Sequence, residues 1–317
     1  MDIFSRAVCA VKALKGARIG QVGVRPDTFE TVGFDEVAMI NKFGQNVIPI
    51  NNSDLLERVE ALRDDDPMVV ERARAIRSSV AVATVAEDYF IKAAKFELAL
   101  ADFWTENRLS AMAVQCWASM RKLYGISTCS SFGRMTAQGM LTACETDVLG
   151  ALAMLTQYAA ARGEVIPHFI DWTIQHRENP NWLLAWHCGN APACLAADPH
   201  QTALRSRPNM TGALEPVECD LSAGLYQFQV KPGIVTFCRL QEYDDQWKML
   251  ITTGEIVPSD EQLAGTWSWV EVADHAALYR TMVEEGFVHH ANMIHGDQTE
   301  VLLEVCDFLD IEPIVVF

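Results

Sequence analysis

Apolar residues recur at helical spacing along the first half of the chain, and short runs of nearly continuous hydrophobic residues separate those stretches. An opening helix precedes residues 17–23, which read as a first strand, and residues 45–50 read as a second. Helical patterns follow at about 54–63 and 67–78, with a longer one over 86–105. The run 111–117 has the texture of a strand buried on both faces, as in a parallel sheet. A helix is predicted from Cys144 to about Ala161, where Arg162-Gly163 supplies a basic last turn and a stop. Two short strands come next, 164–170 ending at Asp171 and 182–186 ending at His187-Cys188-Gly189.

From about Ala197 the texture changes. Asp198-Pro199-His200, Arg207-Pro208-Asn209 and Lys231-Pro232-Gly233 punctuate short segments, and 226–230, 234–240 and 247–252 predict an antiparallel sheet or small barrel. The chain closes with a helix behind Asp297, an N-cap with Glu300 three residues on, and a strand over 311–317. The expected fold class is α/β: a parallel-sheet α/β domain followed by a β-rich, barrel-like C-terminal domain.

Length and composition narrow the function. A chain of 317 residues favours two domains, each with its own core. A net charge of −17 argues against nucleic acid or an anionic membrane surface, both of which need clustered Lys and Arg, and favours a small-molecule substrate. No run of 18 apolar residues occurs and the start, Met1 to Arg6, lacks a signal core, so a cytoplasmic location is expected. The nine cysteines contain no CxxC pair and read mostly as small buried apolar groups. Neither GxGxxG nor a P-loop is present.

Candidate chemistry gathers in one stretch. Glu145, Asp171 and His187 fall at predicted helix starts or strand ends, and a right-handed strand-helix-strand arrangement would bring all three to the carboxyl edge of the sheet. Singly, each has a plainer reading: Thr142 and Glu145 have capping-box spacing, and an Asp just beyond a strand is a common turn former. As a set they are surrounded by Cys144, Val148, Phe169, Ile170 and Trp172, where an unpaired charge is costly and a divalent cation would balance it. His289-His290 returns near the C-terminus, either as surface histidines or as a source of a further ligand. Adjacent strand residues point to opposite faces, so one of the two is expected to face a given site. Two carboxylates and an imidazole with open positions suit Mn²⁺, Mg²⁺ or Co²⁺. Gln115 and Trp117 pair a polar group with an aromatic, as a sugar site would, and Arg134 is a third lining candidate; ordinary packing is the alternative for these. A thiol enzyme using Cys188 is a further reading, without a nucleophile-base signature to accompany it.

These segments together resemble a known family. Lys12-Ala13-Leu14-Lys15-Gly16-Ala17-Arg18-Ile19-Gly20 with Gln21 to Pro26 looks like the start of the second domain in the L-fucose and L-arabinose isomerase superfamily. Val114-Gln115-Cys116-Trp117, Ala143-Cys144-Glu145-Thr146-Asp147, Phe169-Ile170-Asp171-Trp172, Trp186-His187-Cys188-Gly189 and His289-His290 follow in the same order. The resemblance implies an aldose-ketose isomerase with a divalent metal, usually Mn²⁺, held by Glu145, Asp171 and His290, with His187 as a fourth ligand or just behind the ligands. It also implies that the two carboxylates move a proton between sugar carbons 1 and 2 through an enediol, as paired carboxylates and a Lewis acid are suited to do. A domain change near Gln175 follows, dividing the chain into 1–175 and 176–317, and so does a homo-oligomer. Family members usually carry an additional N-terminal domain of ~150 residues. A chain starting at their second domain is expected to be an isomerase with a more open site, one completed by a separate polypeptide, or a silent sugar- or partner-binding protein that keeps the metal site.

Overall fold

The computed structural model describes residues 1–117, 119–206 and 223–317, so the Arg207-Pro208-Asn209 segment and Cys219 lie outside the described residues. In the first half, α1 (Asp2–Leu14) leads into β1 (Arg18–Val22), followed by α2 (Glu36–Phe43) and β2 (Asn46–Ile50). Then come α3 (Asn52–Ala61), α4 (Pro67–Ser78), the two-residue β3 (Val82–Ala83), α5 (Glu87–Asn107) and β4 (Ala111–Val114). After α6 (Ser119–Tyr124) and α7 (Cys129–Ala137), the short β5 (Thr142–Cys144) feeds α8 (Val148–Ala160). Strands β2-β1-β4-β5 form a four-stranded sheet in that order, every pair parallel. All four residues of β4 are buried, as expected for a strand covered on both faces by helices.

The second half is a barrel. Its strands are β6 (His168–Gln175), β7 (Trp182–His187), β8 (Ala203–Arg205), β9 (Leu225–Gln229), β10 (Gly233–Tyr243), β11 (Gln246–Val257) and β12 (Thr266–Val272). After α9 (His275–Glu284) come β13 (His290–His295), α10 (Thr299–Leu309) and β14 (Glu312–Val316). Strands β10-β13-β6-β7-β12-β11 pair antiparallel in a ring that closes between β11 and β12, which removes the free edges an open sheet would expose. Outside the ring, β14 adds to β11 and β9 to β12, both in parallel. The long β10-β11 hairpin turns at Asp244-Asp245, both with positive φ (53° and 63°), the backbone a tight two-residue hairpin requires.

Two cores meet at this hairpin. Cys238 and Leu240 of β10, with Met249 and Ile251 of β11, belong to the core shared with α1, α8 and the parallel sheet. Val235 and Phe237 of β10, with Leu250 of β11, join a second core that contains Ile170 and Trp172 of β6. Period-2 alternation therefore divides one hairpin between two apolar masses, and this explains why 234–240 reads as almost unbroken hydrophobic sequence. The expected architecture, a parallel α/β sheet followed by a barrel, is the one found. No described helix is long and apolar enough to cross a membrane.

Three local expectations are corrected. The helix predicted from Cys144 starts at Val148, because Glu145 and Thr146 adopt left-handed φ values (61° and 57°) and Asp147 is the N-cap, accepting from the Gly150 N–H at 2.8 Å. The Thr142–Glu145 capping box therefore does not form. The strand predicted to end at Asp171 runs on to Gln175, so Asp171 lies inside it. Both β6 and β7 are antiparallel barrel strands, so Glu145, Asp171 and His187 do not share one parallel-sheet edge.

Candidate metal centre

Glu145 reaches the centre from the turn beyond β5, at the carboxyl end of the parallel sheet. Asp171 and His290 come from the barrel, where β6 and β13 pair in register with the two residues directly opposite each other. Direct cross-strand partners project to the same face of a sheet, so the pairing alone sets a carboxylate beside an imidazole. His187 ends the neighbouring strand β7. The sheet edge and the barrel wall thus face one another across the site.

His290 is the hub. Its ring is fully buried, with Nε2 2.9 Å from Glu145 Oε2 and 3.4 Å from Asp171 Oδ1. Nδ1 lies 2.8 Å from Asp147 Oδ2, and the same oxygen accepts from Nη1 of Arg239, itself completely buried on β10, at 2.5 Å. Asp147 and Arg239 were not legible as site residues in the sequence. Phe169 packs on His290 (4.8 Å between ring centroids) and on His187 (5.7 Å). Gly150 permits this packing, because a Cβ there would come within 2.5 Å of Phe169 and 2.7 Å of Asp147 Oδ2.

The electrostatics follow from burial opposed by partners. Burial pushes the Glu145 carboxyl up to about 7, against the stabilising pull of His290. For His290 burial acts to lower the value, but the bonds to Asp147 and Glu145 outweigh it and raise it to about 9. Burial would raise Asp147, yet the charge of Arg239 and the His290 bond hold it well below the usual carboxylate range. Asp147 is thus a fixed anion that orients His290 and keeps Nε2 directed at the two carboxylates. A carboxylate behind a histidine in this way is the usual support for a metal-ligating imidazole.

The donor set fits a cation. Asp171 Oδ1 and His187 Nε2 are buried and have no hydrogen-bond partner. Ligand atoms of Asp171, His187 and His290 lie within 4.8 Å of one another, as do those of Glu145, His289 and His290. The presence of both histidines corrects the expectation that only one of the pair faces the site: β13 begins at His290, so His289 precedes the strand and escapes its alternation. His289 contacts the loop after β1, with Thr31 Oγ1 3.5 Å from its Nδ1. The backbone N–H of Cys188 points at His187 Nδ1 (2.9 Å), so Nε2 is the ring nitrogen left to face Asp171 and His290.

The three lining candidates make contacts of their own. Gln115 Oε1 accepts from Asn52 Nδ2 at 2.6 Å and from the Val24 N–H at 3.4 Å, tying β4 to the segment after β1. Trp117 is half-buried beneath the Arg121 guanidinium, 5.0 Å from the ring centroid. Arg134 is buried in α7, where it bonds Glu97 at 2.7 Å, the Tyr226 hydroxyl at 2.9 Å and Ser131 at 3.1 Å.

Known proteins similar to this chain are sugar isomerases. Residues 185–316 match the family model of the L-fucose isomerase C-terminal domain. The chain is 27% identical over 304 residues to a sulfoquinovose isomerase of Alkalicoccus urumqiensis, covering 95% of this chain and 65% of the relative. Sulfoquinovose isomerases of Priestia megaterium (27% over 306 residues, 95% of this chain and 65% of the relative) and Clostridium sp. strain MSTE9 (25% over 318 residues, 98% and 67%) are similar as well. The chain thus spans about 65% of the length of the first of these curated relatives. With residues 185–316 matched by that model, the barrel half of the chain is similar to the L-fucose isomerase C-terminal domain.

Proposed function

We propose that the chain is a metal-dependent aldose-ketose isomerase acting on a monosaccharide through an enediol. The observation that carries this reading is the meeting of Glu145, Asp171 and His290, drawn from two layers of the fold, with Asp171 Oδ1 buried and without a hydrogen bond among the described residues. Glu145, Asp171 and His290 would hold the cation, with His187 as the fourth group. Oxygen and imidazole donors without thiolate suit Mn²⁺, or Mg²⁺ or Co²⁺ in its place. The bound cation would supply Lewis-acid stabilisation of the negative charge that develops on the sugar oxygens.

The protein's own groups account for the proton transfers. Isomerisation moves one proton from carbon 2 to carbon 1 and one from the oxygen on carbon 2 to the oxygen on carbon 1. Glu145, whose carboxylate lies 2.9 Å from His290 Nε2, is placed to take up a proton and to return it. Asp171 stands on the other side of His290 Nε2 as the second carboxylate. Asp147 and Arg239 keep His290 fixed while charge shifts in front of it.

The names of the relatives make sulfoquinovose the first sugar to test. The experiment is metal analysis of the purified chain, with aldose-ketose interconversion assayed over sulfoquinovose and a panel of plain sugars, with and without added Mn²⁺. Turnover that disappears with chelation and returns with Mn²⁺ is expected. Metal binding with no turnover of any sugar would overturn the reading.

A further inference from the structure

Directly behind His187 lies a group of thiols that the proposed reaction does not use. Cys129 opens α7 and Cys188 follows β7; both are buried, and their sulfur atoms are 3.4 Å apart. Leu225 and half-buried Trp186 pack around them. Cys116 and Cys144, from the ends of β4 and β5, approach the same place, each within hydrogen-bonding reach of Cys129. The Cys188 sulfur is also 3.4 Å from Nδ1 of His187.

We infer that Cys129 and Cys188 form a reversible disulfide that controls His187. A disulfide is about 2.0 Å long, so closure needs the two sulfurs to approach by only about 1.4 Å. Cys129 is the first residue of α7 and Cys188 lies just beyond β7, where a small adjustment does not break a helix or a strand ladder. With hydrogen peroxide as the oxidant, the Cys188 sulfur attacks one peroxide oxygen, the O–O bond breaks, and the thiol proton leaves with the departing oxygen as water. The Cys129 sulfur then attacks the resulting sulfenic sulfur, forming the S–S bond as the S–O bond breaks and a second water departs. The two thiols lose two electrons and the peroxide gains them.

Closure draws the Cys188 sulfur toward α7 and away from the His187 ring. The bridge itself rests on the sulfur geometry; its effect on metal rests on the proposed function. The test treats the full chain with stoichiometric peroxide, blocks free thiols, and maps the linked peptides by mass spectrometry. Expected is a Cys129–Cys188 peptide, absent from C129S and C188S, retained in C116S, and removed by dithiothreitol. Mn²⁺ affinity, by calorimetry, is expected to fall about tenfold on oxidation and to return on reduction, the scale of losing a group that supports a ligand. Cys129 and Cys188 staying alkylatable at doses that oxidise the exposed Cys9 and Cys194 would overturn the bridge, as would pairing with Cys116 or Cys144 instead. A bridge with unchanged Mn²⁺ affinity overturns the control of His187. No Mn²⁺ binding by either form counts against the metal centre and leaves the peptide map standing.

Discussion

The Asp147 carboxylate lies 2.8 Å from Nδ1 of His290, and through it the only imidazole that contacts both Glu145 and Asp171 among the described residues is tied to the buried Arg239. Asp147 contacts the ring nitrogen of His290 that faces away from Glu145 and Asp171, so it acts by holding the ring. Asp147→Asn is expected to weaken Mn²⁺ binding by about 10–100-fold while the fold persists. Calorimetric titration alongside circular dichroism separates the two effects, and unchanged affinity would show that the ring needs no such support.

Glu145→Gln preserves the volume of the side chain and removes its ability to exchange a proton. The isomerisation rate should fall by about 10²–10⁴-fold, the usual contribution of a positioned acid-base group. Rates measured at saturating Mn²⁺ keep lost metal affinity from imitating lost chemistry. A variant as fast as the parent would remove Glu145 from the proton transfer.

Arg134 and Glu97 make a buried ion pair at 2.6 Å between α7 and α5. Removing Arg134 leaves the buried Glu97 with the longer 3.5 Å contact to Arg72, so Arg134→Met should destabilise the protein by up to about 3–5 kcal/mol in urea unfolding. If Arg134 instead lines the sugar, the change would raise KM with little loss of stability.

His168 supplies a pH dependence away from the metal centre. Burial, with the charges of His187 and His295, lowers its value to about 3, below the ~6.5 of an unfolded histidine. Above about pH 6.5 the ring is neutral in both states. Below that the unfolded chain takes up a proton that the folded chain refuses, so stability falls with pH until about 3, by at most about 1.4 kcal/mol per pH unit from this group. His168→Gln should flatten that acid limb in unfolding curves recorded between pH 4 and 8, and an unaltered limb would assign it to other groups.

Much of this was legible in the sequence because short-range patterns encode it. Periodicity located β1, β2 and β4, and the chain pattern singled out Glu145, Asp171 and His187, with His290 added by the family resemblance. What escaped depends on contacts between distant segments. The closure of β11 on β12 follows from pairings such as Gly254 with Val272, which no local pattern specifies. Glu145 looked like a helix residue because the capping-box spacing is satisfied equally by a turn in which two residues take left-handed backbone. Asp147 had a signal of its own, an acid directly before the apolar run 148–155, and so did Arg239, the one cation of β10, set between Cys238 and Leu240. Their association across 92 residues could not be read from either.

Glu145 and His290 are separated by 145 positions along the chain, one on the open sheet and one on the barrel. Contacts of such long sequence separation form late, after the loop between them has been closed at an entropic cost. The centre is therefore also a record of assembly: these groups could grip a cation only once the sheet and the barrel have docked. Binding should then stabilise the docked state as a whole, in proportion to the logarithm of the free metal concentration, and hold the two cores together as one cooperative unit.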